Sequence, residues 1–180
     1  MADKKAAYKI LSSKIEYKNP YMKVHKKHIR YANNAHGTYW VMDRPGDCAI
    51  AIPLYSPTET VLVGQERITV KRFSWEFPMG SVKGENGLVA AKQELREETG
   101  LVGKKWQKIG EFYLANGYSS QKGVVFVVEE LEQYKREPER HEFLTLQRTK
   151  IKDIHKMILD GTIKDGPTIT AFLYLLDYLK

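Results

Sequence analysis

The stretch from Trp75 to Leu101 constrains this 180-residue chain most. A glycine-rich loop, WEFPMGSVKGENG, runs into one long helical pattern, LVAAKQELREET, which Gly100 stops. At about 100° per residue, Leu88, Ala91 and Leu95 share one side of that helix and can bury it against a sheet. Glu94, Glu97 and Glu98 share the neighbouring face within an arc of about 100°. Glu94 and Glu98 stand i, i+4, a like-charge pair that destabilises a helix unless something cationic lies between them. A solvated acidic face is the plain alternative. A hard divalent cation with oxygen ligands, such as Mg²⁺, explains the pattern better, because such an ion also bridges to substrate phosphates.

Around this segment the chain reads mainly as strands. Residues 6–17 fit a strand or a short helix. Tyr21–Tyr31 alternates apolar and basic residues with one change of phase, which predicts a strand with a bulge. Asn33-Asn34 and His36-Gly37 are turn chemistry, and Thr38–Met42 reads as the returning hairpin strand. Arg44-Pro45-Gly46-Asp47 breaks the chain, so a β-rich extension over residues 1–45 precedes a body over residues 46–180. Further strands fit Ala49–Tyr55, Thr60–Gln65, Trp106–Leu114, Gly123–Glu130 and Phe143–Gln147. The central helix fits Gly87–Thr99, and two more fit Ile151–Leu159 and Thr168–Leu179. Along the last, the stripe Ile169, Phe172, Leu173, Leu176 and Leu179 reads as core. Strands with helices packed on them make the fold class α+β or a three-layer sandwich.

Composition removes several classes of function. With 42% hydrophobic and 28% charged residues the chain is neither disordered nor of low complexity. Its single cysteine, Cys48, excludes an internal disulfide framework and a cysteine-based zinc cluster, and it reads as a core residue. The five histidines show no ligand spacing, and the glycine-rich loop lacks the Lys-Ser/Thr of a P-loop. No run is long enough to span a membrane and no signal peptide is legible, so a cytoplasmic protein is expected. The net charge of +7 resides in residues 1–30, where nine basic residues face two acidic ones. No aromatic-interleaved nucleic-acid motif accompanies that charge, so a solvated strand face with a frayed tail is favoured over nucleic acid, a membrane surface or a polyphosphate substrate as its meaning.

The loop and helix together resemble the signature of the Nudix hydrolases. Gly80 and Glu85 match its first half, and Glu94, Leu95, Glu97, Glu98, Gly100 and Leu101 its second. Two positions depart. Four residues rather than five separate Gly80 from Glu85, and Gln93 stands where the family has arginine. Gln93 lies i, i+4 from Glu97 and can still donate a hydrogen bond, without charge. The resemblance extends along the chain. Leu62–Arg67 before Trp-Glu-Phe-Pro, the tail Asp160–Thr168 and the N-terminal extension are similar to ADP-ribose and nucleotide-sugar pyrophosphatases. The loop Ala115–Ser120 lacks the proline usual in the ADP-ribose-specific group, which favours a broader range of nucleoside diphosphate sugars.

What the resemblance implies is a Nudix-type α/β/α sandwich with an N-terminal β-hairpin extension. It further implies a homodimer formed through that extension, and Mg²⁺-dependent hydrolysis, with Mn²⁺ able to substitute. Glu94 and Glu98 would be the main metal ligands, Glu97 would serve a further ion, and the Gly80 carbonyl would complete the shell. Arg67 is the candidate phosphate clamp, a sheet-edge arginine being the alternative, and Glu76 is an additional substrate contact. Tyr39 and Trp40 would stack on a base or lie buried in the dimer seam. For the general base the corresponding loop offers Glu142 first and Glu139 second, with Glu97 in reserve. A dinucleoside polyphosphate or RNA-cap hydrolase and a weakly catalytic nucleotide-binding protein are the alternative functions.

Overall fold

A computed structural model describes residues 6–82, 84, 86–137 and 143–180. They form two compact units, residues 1–45 with 115–121, and residues 46–114 with 122–180.

The first unit is a three-stranded antiparallel meander of β1 (Tyr8–Lys18), β2 (Lys23–Tyr31) and β3 (His36–Asp43), one strand more than a hairpin. Residues 6–17, ambiguous in sequence, are therefore mostly strand. The irregularity predicted for β2 lies across the ladder. β2 pairs with β3 without a shift, whereas β1 carries extra residues at Leu11 and Glu16 against β2. β2 itself is therefore unbulged, which corrects the expectation, and its unbroken register leaves Val24 and Ile29 on opposite faces. The loop Ala115–Gln121 belongs to this unit, where Met42 N–H donates to the Tyr118 carbonyl at 2.8 Å.

The second unit is built on a seven-stranded sheet. Its path is β10 (Thr145–Lys150), β5 (Glu59–Arg67), β4 (Cys48–Ser56), β9 (Lys122–Gln133) and β8 (Leu101–Tyr113). Two short strands extend it: β6 (Arg72–Glu76) pairs with β5, and β7 (Met79–Ser81) with β4. β4 and β9 run parallel, and the other pairs are antiparallel. Neither β6 nor β7 was legible in sequence, since five and three residues are too few to show a period.

Both faces of the sheet are covered, so the α+β class takes the three-layer form. On one face Ile50, Ile52 and Leu54 of β4 pack with Ile151 and Ile154 of α2 (Ile151–Leu159) and Phe172 and Leu175 of α3 (Gly166–Tyr178). On the other, Ala49 and Ala51 meet Ala90, Ala91 and Leu95 of α1 (Gly87–Thr99). The alternation of large and small residues along β4 matters for the site, because alanine against alanine lets α1 approach closely. α1 is capped by Asn86, which accepts from Val89 N–H at 3.0 Å, and ends on Gly100 at φ 74°. α3 begins earlier than its apolar stripe suggests, because Asp165 caps it and Pro167 occupies its first turn. Its buried face is Thr168, Ala171, Phe172 and Leu175, while Leu173 and Leu176 are exposed, which corrects the predicted stripe. Cys48 is partly buried against the α2–α3 core. No helix among the described residues is long and apolar enough to cross a membrane.

Candidate active site

The acidic face of α1 meets β7. Glu98 is buried at 4% exposure, and a carboxylate oxygen accepts from Met79 N–H at 3.2 Å. Glu94 lies against the next residue, since a Cβ at Gly80 would collide with its Oε1 and Cδ. Glycine is therefore required at position 80 by close approach, not by backbone angle. Glu97 is half-buried one turn from Gln93, whose Nε2 donates to its Oε1 at 2.9 Å. The i, i+4 pairing legible in sequence thus exists, with a neutral donor in place of a guanidinium.

Glu94 and Glu98 both meet β7, at Gly80 and at Met79, in one acidic notch, and carboxylate oxygens are the kind of donor a hard divalent cation takes. Among the described residues no three acidic, histidine or cysteine side chains already converge as a closed metal cluster. The residues fit such an ion chemically, and Glu97 would have to exchange its Gln93 bond to join the others.

A second group of charges borders this notch. Arg67, the last residue of β5, grips Glu76, the last residue of β6, through both carboxylate oxygens; Nε to Oε1 is 2.8 Å, and Nη2 meets Oε2. Glu76 is buried at 2% exposure, and Arg67 is partly open. Bonding to Glu76 raises the Arg67 pKa, with Asp165 and Glu98 adding smaller pulls. A carboxylate held by a guanidinium on two oxygens is fixed in plane as well as place. Asp165, at the N-terminus of α3, is the third member, and burial followed by the charge of Glu76 pushes its carboxyl above the usual range. Sequence reasoning missed Asp165 as a site residue. Its signal was the helix-start pattern Asp-Gly-Pro-Thr, which reads locally as a cap and says nothing of Arg67.

The remaining candidates fall elsewhere. Glu85, Glu139 and Glu142 lie outside the described residues. Tyr39 and Trp40 belong to the first unit, where the Tyr39 hydroxyl donates to the Gly117 carbonyl and Lys26 Nζ stands 5.7 Å from the Trp40 ring centre. Both rings are about half exposed there.

The NUDIX domain family matches residues 45–172, so the notch between α1 and β7 lies inside the matched span. The chain belongs to this family and is a Nudix hydrolase, a class that generally uses divalent metal ions. Among curated proteins it is similar to an ADP-ribose pyrophosphatase of Bacillus subtilis (strain 168), 32% identical over 75% of this chain and 74% of the relative. It is also similar to an ADP-ribose pyrophosphatase of Mycobacterium tuberculosis, 32% identical over 62% of this chain and 56% of the relative. A methanol dehydrogenase activator of Bacillus methanolicus is 26% identical over 75% of this chain and 74% of the relative. In fold the chain matches the crystal structure of an ADP compounds hydrolase, with TM-score 0.87 and 19% identity over 99% of this chain and 97% of that one.

Proposed function

We propose that the chain hydrolyses the pyrophosphate bond of nucleoside diphosphate sugars, ADP-ribose-like or nucleoside diphosphate hexoses. The products are a nucleoside monophosphate and a sugar phosphate. The observation that carries this reading is the seating of Glu94 against Gly80 and of Glu98 on the Met79 amide, which joins β7 and α1 into one acidic notch. Similarity to two ADP-ribose pyrophosphatases supports the substrate class.

In this reading Glu94, Glu98 and the Gly80 carbonyl hold Mg²⁺, or Mn²⁺ in its place, and Glu97 serves a further ion. When bound, the metal neutralises pyrophosphate charge and acidifies water. Arg67 presents its outward N–H groups to a phosphate while Glu76 fixes the guanidinium plane. Glu142, with Glu139 as the second candidate, takes the proton of the attacking water.

The first unit supplies the dimer in this reading. All eleven residues of β1 are exposed, Tyr8, Ile10, Leu11, Ile15 and Tyr17 among them. A cavity of about 260 Å³ opens on this unit between Tyr8, Ile10, Ile29, Tyr31 and Tyr39. Exposed apolar residues along an edge strand are a liability that a second copy removes. Tyr39 and Trp40 then stack on a base or close the seam.

A product-resolved screen of ADP-ribose, ADP-glucose, GDP-mannose, UDP-glucose and diadenosine polyphosphates with Mg²⁺ tests the proposal. Release of two phosphorylated products from a nucleotide sugar supports it. Preference for the polyphosphates replaces it with a polyphosphate hydrolase, and binding without turnover replaces it with a nucleotide-binding protein.

A further inference from the structure

We infer that Thr168, on the buried face of α3, is a positioning residue for the Arg67 phosphate clamp. Its hydroxyl oxygen accepts from Phe77 N–H at 3.1 Å. The backbone N–H of Thr168 itself donates to the Asp165 carboxylate at 2.8 Å. Phe77 directly follows Glu76, the residue that holds Arg67 on two oxygens. One hydroxyl therefore ties the first turn of α3 to the end of β6 from which Arg67 is oriented.

The position explains why a threonine stands on an otherwise apolar face. Thr168 is 0% exposed, beside buried Ala171, Phe172 and Leu175. A buried hydroxyl is tolerated only with its bonds made, and here they satisfy a backbone N–H that no helix or ladder serves. Glu76 has 2% exposure and no room to swing, so a shift of Phe77 passes to the guanidinium through the paired oxygens. A guanidinium turned out of plane loses its two-point hold on phosphate while keeping its charge.

This inference rests on the reading of Arg67 as a phosphate ligand, and the test separates the two. Thr168→Val keeps shape and removes the hydroxyl, Thr168→Ser keeps the hydroxyl, and Arg67→Lys keeps charge and removes the fork. Each is measured with ADP-ribose, as KM and kcat with Mg²⁺ and as a dissociation constant in metal-free buffer. Thr168→Val is expected to raise KM and the dissociation constant about 10-fold, to change kcat less, and to be rescued by Thr168→Ser. In an Arg67→Lys background the same change should cost nothing further, because its effect passes through the fork. Full additivity in the double variant, or an unaltered KM in Thr168→Val, overturns the inference and leaves the clamp intact. An Arg67→Lys protein that binds ADP-ribose normally overturns the clamp itself. If Thr168→Val does not fold, Thr168→Ala enters the same cycle, since it removes the hydroxyl without placing a methyl against the Phe77 amide.

Discussion

The two sheets of this molecule use strands of similar length to opposite ends. In β4 six of nine residues are buried, and both faces carry helices. In β1, β2 and β3 together Ile29 is the one buried residue. A sheet needs its apolar face covered for independent stability. The larger one obtains this from α1, α2 and α3, and the smaller one presents tyrosines and isoleucines to solvent. The proposed function divides labour along the same line, with the chemistry on the covered sheet and the dimer on the uncovered one.

The largest effect expected from that division is chemical and confined to the second unit. Replacing Glu142 by Gln should lower kcat by about 10²–10⁴-fold, the usual weight of a general base, with substrate still bound. If Glu142→Gln keeps full kcat and Glu139→Gln does not, the role passes to Glu139. If neither matters, Glu97 is next. Glu98→Gln should follow at about 10²–10³-fold, the scale of losing one group that stabilises developing charge. Its fold should survive, because a glutamine oxygen can still accept from Met79 N–H. Near-normal turnover at saturating Mg²⁺ would remove Glu98 from the metal set.

The parts legible in sequence were those governed by local rules. α1 and α2 carry their own periods and stop signals, and both stand where the pattern put them. Gln93 met Glu97 as the helix geometry required. What escaped was set by contacts distant along the chain. The bulges of β1 follow from its pairing with β2, and β6 and β7 exist as strands because β5 and β4 offer edges to them. Asp165 joins Arg67 and Glu76 across about ninety residues of chain, so no window around it holds the signal. The face of α3 was misread by a partial turn because the predicted stripe began at Ile169, when the buried face begins at Thr168.

A third prediction sets the two sheets directly against each other. Ile52→Ala, in the covered sheet at 0% exposure, should cost about 2–5 kcal/mol of folding stability by chemical denaturation. Ile10→Ala, at 46% exposure on β1, should change the unfolding of the isolated chain by no more than about 0.5 kcal/mol. If the proposed dimer forms through β1, Ile10→Lys should instead halve the mass seen by light scattering, because it sets a charge on that face. A wild-type chain that scatters as a monomer at micromolar concentration would end the comparison in its functional form.

The smallest effect lies at the outer margin of the covered sheet and is read through pH. Glu111 of β8 bonds Lys108 at 2.7 Å and Lys122 of β9 at 3.0 Å. Those hydrogen bonds and charges bring its carboxyl down from 4.5 to about 2. A carboxyl lowered in the folded state favours folding most where it is ionised in both states. Its contribution is complete above pH 4.5 and is lost as pH falls from there toward 2. All three side chains are half exposed, so water and salt screen the bridge, and the effect on melting temperature should be small and weaker still in high salt. Glu111→Gln should therefore melt slightly below wild type near pH 7, and the two curves should merge as pH approaches 2. A gap that persists at pH 2 would mean that Glu111 acts through packing rather than charge. A gap that widens on acidification would reverse the sign of the linkage and remove the bridge as its cause.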